Sequence, residues 1–183
     1  VGGLSSASVE IYTPSTNSWR LGPSLPRGRS FHSAVVVDSQ VYVVGGLHIS
    51  EIHPSCRTYL ELRSVLKLDV STNTWHDTAP MPFSLRFAHV CSAGTAFFMV
   101  GKRRHGTYSN QLCKFETTTS TWTNHTLQYN LNLDGGHSVG VLDGVIYMAG
   151  LGENQREVHS FNLANNVCVR LASTQNARYF GSM

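Results

Sequence analysis

The chain has little charge and no long apolar run. Asp, Glu, Lys and Arg together make up only 14% of its 183 residues, while apolar residues make up 41%. That balance excludes a disordered chain, which needs the reverse. No apolar stretch approaches the roughly 18 residues that a membrane-spanning helix requires, and no basic, then apolar, leader opens the chain. The net charge of +3 is too small, and its Lys and Arg too scattered beyond Lys102, Arg103 and Arg104, to mark a nucleic-acid surface. Cysteine is also scarce. Cys56, Cys91, Cys113 and Cys168 form no CxxC pair, which excludes a zinc knuckle or a thioredoxin-type site. Three of them fall in apolar strand patterns, as expected of reduced core thiols in the cytoplasm. Asn124-His125-Thr126 matches the N-glycosylation triplet, a pattern that chance supplies often.

What is present is a repeat. VEIYTPSTNSW (9–19), VLKLDVSTNTW (65–75), LCKFETTTSTW (112–122) and VHSFNLANNVC (158–168) align without gaps. Each opens on alternating apolar and polar residues, the pattern of a half-buried strand, and crosses a Ser/Thr/Asn-rich turn. Trp19, Trp75 and Trp122 then fall seven residues after Tyr12, Leu68 and Phe115, and Cys168 takes that place in the fourth copy. Burial in the core is expected for all three tryptophans. Ahead of the last three copies lie short β-rich runs ending at Gly45-Gly46, Gly101 and Gly150, and Gly2-Gly3 close the same element in the first. A further strand precedes these, opening at His32, His89 and His137, which are 57 and 48 residues apart. That recurrence places the three histidines at one structural position, for packing or hydrogen bonding rather than metal binding. His48 and His53 are five apart and make no convincing metal pair.

Four strands per unit, with a period of roughly 45–55 residues, describe a propeller blade. The order Gly-Gly, aromatic, Trp resembles kelch repeats. WD-type blades want Asp after the Trp, and Arg20, His76 and Thr123 stand there instead. The resemblance implies an all-β kelch-type propeller with four antiparallel strands per blade, and about four blades of a six-bladed ring. The expected units are residues 1–26 (the end of a blade), 27–82 (with a long insertion at about 48–63), 83–125, 126–176, and 177–183 (the start of the next). The third copy loses one residue between its first two strands. Val1 within a Val-Gly-Gly element raises the expectation of upstream sequence, and a partial ring is expected to leave edges that aggregate.

The fold does not fix the function. The resemblance is to the propellers of BTB–kelch adaptors, which implies a protein-interaction module. It would recruit a protein or acidic peptide to a cullin-based ubiquitin ligase through BTB and BACK segments lying elsewhere, with no cofactor, metal, nucleic acid or membrane involved. In such adaptors the residues before each first strand help form the ligand face. Here these are Arg29, Arg86, Asp134 and Arg178, with Ser30 and Leu47 beside them. Guanidinium forks at one mouth would suit carboxylates or phosphates. An arginine there can equally brace a neighbouring loop or pair with Asp134. Actin-associated scaffolding belongs to the same class. An enzyme is the other class: kelch propellers include sialic-acid mutarotases and copper radical oxidases. No copper-site spacing occurs here, and Asp134 with His137 is the only nearby acid/base pair. A secreted adhesion domain would want more cysteines and glycosylation sites.

Overall fold

The structure, a computed structural model, describes residues 6–53, 56–103, 110–127, 131, 133 and 136–178; within these, residues 50–53, 56–57, 86–87, 102–103, 110–111 and 126 are described by backbone alone. Gly2, Gly3 and Asp134 lie outside the described residues, and so does the side chain of Arg86. Among the described residues there are sixteen strands, one short 3-10 turn at Pro14–Thr16 and no α-helix.

Twelve strands form three four-stranded antiparallel sheets. The first joins β3 (Ser33–Val37), β4 (Gln40–Val44), β7 (Val65–Asp69) and β8 (Thr74–Asp77). The second joins β9 (Leu85–Ala93), β10 (Ala96–Arg103), β11 (Asn110–Glu116) and β12 (Thr121–Thr126). The third joins β13 (Ser138–Leu142), β14 (Val145–Leu151), β15 (Glu157–Asn162) and β16 (Val167–Leu171). A hairpin of β1 (Glu10–Thr13) and β2 (Ser18–Leu21) precedes them. Strands β3, β9 and β13 neighbour one another across sheets, so the first strand of each blade is the innermost. The arrangement is that of a β-propeller.

Turn chemistry repeats with the blades. Asn17, Asn73, Ser120 and Asn166 all take the left-handed conformation, two residues before Trp19, Trp75, Trp122 and Cys168. Asn tolerates that region better than most residues. Asp69 Oδ1 accepts hydrogen bonds from the Ser71 hydroxyl and from the amides of Ser71 and Thr72, and these hold its carboxyl down to about 2. Asn162 Oδ1 does the same for Ala164 and Asn165. The innermost hairpins turn in two residues, Asp38-Ser39, Gly94-Thr95 and Asp143-Gly144. Both residues of the first have positive φ, 47° and 61°. Asp-Gly suits such a turn and Asp-Ser does not. Ser39→Gly is therefore expected to stabilise the chain by about 0.5–1 kcal/mol, read as a higher urea midpoint.

The cores lie between blades. Val9, Leu25, Val43 and Leu66 join the first hairpin to the first sheet. Tyr42, Met81, Phe97, Met99 and Phe115 fill the next interface, and Phe98, Leu112, Ile146, Met148 and Phe161 the last. Trp75 and Trp122 pin the blades in series, donating from Nε1 to Pro23 O at 2.8 Å and to Ala79 O at 3.0 Å in the preceding blade. Trp19 departs from the expectation of burial: it is 67% exposed and stacks on Tyr12, itself 42% exposed. Its two counterparts are covered by the blade before them, and no described residue covers this face of β1–β2.

A second correction concerns the histidines. Ser33 and Ser138 pair with Val44 and Ala149, the residues just before Gly45 and Gly150. In the second sheet the residue before Gly101 is Val100, and it pairs with His89. His89 therefore occupies the register position of Ser33 and Ser138, not that of His32 and His137. The cause is the residue missing between His89 and its turn, since a one-residue slip moves a side chain to the other face. A bulge between Val100 and Lys102 absorbs the slip.

Candidate functional site

The insertion of the second copy is structured. Leu47–His53 and Cys56–Glu61 form a hairpin, β5–β6, that rises from the loop between β4 and β7. Its root is fixed by backbone bonds in both directions between Ser30 and Leu47 (2.9 and 2.7 Å) and by His48 Nδ1, which donates to Gly28 O at 2.8 Å. Gly46 permits the approach: a Cβ there would stand 2.8 Å from Ser30 O, at a φ of +99°. Tyr59 and Leu60 on β6 are exposed by 53% and 47%. Beside the root, the segments leading into β3 and out of β6 meet.

Arg29 is brought to that root together with Ser30 and Leu47. Its side chain is only 1% exposed, and Nη1 donates to Gly45 O at 2.9 Å, which braces the glycine turn. Burial pushes its pKa down, Asp77 partly offsets this and Arg27 adds to it. Arg178 is exposed, and its amide donates to Gln155 O at 2.9 Å. Arg86 and Asp134 cannot be added to this set, because neither side chain lies among those described.

The sequence reading missed a second arginine pattern. The amides of Leu25, Met81 and Thr174 donate to Ala7 O, Arg63 O and Arg156 O, each 18 residues back. Where that earlier residue is arginine the tie is reciprocal: Arg63 Nε donates to Met81 O at 2.7 Å, and Arg156 Nε to Thr174 O at 2.8 Å. The signal was available, since Arg63 and Arg156 both stand two residues before an aligned valine, Val65 and Val158.

Across the inner strands, His89 and His137 meet edge to face with ring centroids 4.6 Å apart. His137 is fully buried, and Nε2 lies 3.4 Å from Val100 O. Desolvation, with His89 adding to it, lowers its pKa to about 4, so at neutral pH the ring is uncharged. Such enclosure suits packing and not proton exchange with a ligand. Among the described residues no group of three or more His, Cys, Asp or Glu could hold a metal ion. Cys91, Cys113 and Cys168 are buried free thiols, and burial raises the pKa of each, to about 12 for the first two. No helix is long and apolar enough to cross a membrane.

The Kelch motif family matches residues 28–82. Kelch-like protein 36 of Rattus norvegicus is 32% identical over 95 residues, 52% of this chain and 14% of the relative. Kelch-like protein 15 of Danio rerio is 38% identical over 87 residues, 46% of this chain and 13% of the relative. Kelch-like protein 36 of Bos taurus is 28% identical over 150 residues, 79% of this chain and 23% of the relative. The matched stretches are thus less than a quarter of these relatives' length. Among solved structures, that of YjhT superposes with a TM-score of 0.76 at 16% identity, covering 96% of this chain and 64% of that one, which supports the fold. The chain carries kelch repeats in a propeller and resembles the Kelch-like proteins.

Proposed function

We propose that this propeller is a cytoplasmic protein-interaction module that recruits a partner protein to a cullin-based ubiquitin ligase. Its own residues supply the binding and other segments the ligase contact. The observation that carries this reading is the β5–β6 hairpin: it is anchored at its root on a rigid blade and presents exposed Tyr59 and Leu60. Loops held by a rigid scaffold are where binding residues concentrate, and amphipathic tyrosine is favoured at interfaces. The likeness to Kelch-like proteins supports the same class. The domain limits given above describe the units of this module.

The test is partner capture in cells, with ubiquitylation of the captured protein as readout. Tyr59→Ala combined with Leu60→Ala is expected to reduce capture by at least about tenfold, the scale of one interface hot spot, with an unchanged melting curve. Unchanged capture by a folded variant would overturn the assignment of this face.

A further inference from the structure

The two seams between full sheets are packed from corresponding positions, and only one of them is filled. Between the first and second sheets four rings meet. Tyr42 and Phe97 lie 5.6 Å apart between centroids, and Phe115 and Trp122 lie 4.9 Å apart. The strand registers make Phe98, Ile146, Phe161 and Cys168 their counterparts at the next seam, so two of the four rings are lost. The inner turns shrink in step: Val37 and Gln40 flank the first, Ala93 and Ala96 the second.

A cleft of about 300 Å³ opens there, at the lower end of the range for small-molecule sites. Phe98, Leu163 and the two alanines give it apolar wall. Lys114 and Glu116 also line it, and they pair with each other at 3.0 Å, which leaves the rim without net charge. His125 completes it from β12 and meets the Phe161 ring edge to face at 5.6 Å, where Trp122 meets Phe115 at the filled seam. Its Nε2 is buried and has no hydrogen-bond partner among the described residues. Such atoms are rare in folded proteins, and each calls for an explanation. Burial and the charge of Lys114 lower the pKa of His125, so at neutral pH the ring is uncharged and one nitrogen is free to accept.

We propose that this inter-blade cleft binds an uncharged planar bicycle with one ring N–H, of the indole type, which donates to His125 Nε2. Such a ring restores to this seam the shape and donor that Trp122 supplies at the previous one and that Cys168 does not. A charged ligand would have to break the Lys114–Glu116 pair. A free heteroaromatic and the tryptophan side chain of a peptide share this chemistry. The site goes beyond the interaction-module reading and does not need the hairpin's partner.

The probes are indole, naphthalene and N-acetyltryptophanamide, titrated into the full chain by heteronuclear NMR. Indole is expected to shift the methyl resonances of Ala93 and Ala96 saturably. Naphthalene has the flat bicyclic shape without the N–H, and is expected to bind at least about fivefold more weakly, the scale of one neutral hydrogen bond. His125→Phe keeps a ring against Phe161, and is expected to weaken indole to the level of naphthalene. Ala93→Val combined with Ala96→Gln approximates the filled seam, and is expected to abolish binding of both. His125→Phe remains decisive if that double variant does not fold. N-acetyltryptophanamide binding as tightly as indole supports a peptide side chain as the ligand, and binding of indole alone supports a free one. No saturable shift, naphthalene binding as tightly as indole, or undiminished binding by either folded variant overturns the proposal. None of these outcomes bears on capture through Tyr59 and Leu60.

Discussion

Replacing Trp122 with alanine is expected to lower the unfolding free energy by about 3–5 kcal/mol. The same change at Trp19 is expected to cost no more than about 0.5 kcal/mol. The two tryptophans hold the same place in their repeats, and only their surroundings differ. Trp122 lies within 4.9 Å of the Phe115 ring and 5.7 Å of the Phe97 ring, and its indole N–H reaches Ala79 O in the preceding blade. Its removal opens a void between two sheets and leaves that carbonyl without its donor. Trp19 stacks only on Tyr12, with its outer face open. Urea unfolding of both variants, followed by far-ultraviolet circular dichroism, makes the comparison. Equal losses would show that the inter-blade seam is not what stabilises Trp122.

Acid is expected to destabilise the chain through His137. Its pKa falls from the ordinary 6.5 to about 4 in the folded state, because charging it would place a cation in the inner core beside His89. Above pH 6.5 the ring is neutral in both states and contributes no pH dependence. As pH falls from 6.5 towards 4, the unfolded chain takes up a proton that the folded chain refuses. Stability then drops by about 1.4 kcal/mol per pH unit, or about 3 kcal/mol across the window. His89, also shifted down by burial, adds in the same direction. His137→Gln lowers stability at neutral pH but is expected to flatten this slope by about one proton. Parallel slopes for both proteins, from urea midpoints at several pH values, would remove His137 as the cause.

Local chemistry was legible from the residues. The Ser/Thr/Asn-rich segments marked the turns, where Asn17, Asn73 and Asn166 are seen in the left-handed conformation, and the alternation around Phe115 and Phe161 marked strands whose apolar residues are buried. Features set by a neighbour were not legible. Whether a tryptophan is buried depends on the blade in front of it, so Trp19 looked like Trp75 from its own segment. His89 slipped out of the histidine series because strand register answers to turn position, and only the one-residue shortening of the third copy hinted at it. Arg29 was foreseen at the loop face, with bracing or ligand contact both open. Its guanidinium is committed to Gly45, a bond that spans 16 residues and that no local pattern displays. The insertion had no strand alternation strong enough to announce β5–β6.

The reciprocal tie from Arg63 to Met81 also governs how the first full blade can change. It clips the exit of the hairpin to the segment that leaves β8, while Ser30 and His48 clip its entry. The hairpin is thus a cantilever clamped at both feet, and strain from a longer, shorter or recoloured tip ends at the clamps. A lineage or an engineer can exchange the tip for another without renegotiating the blades, which leaves this projection open to a new partner.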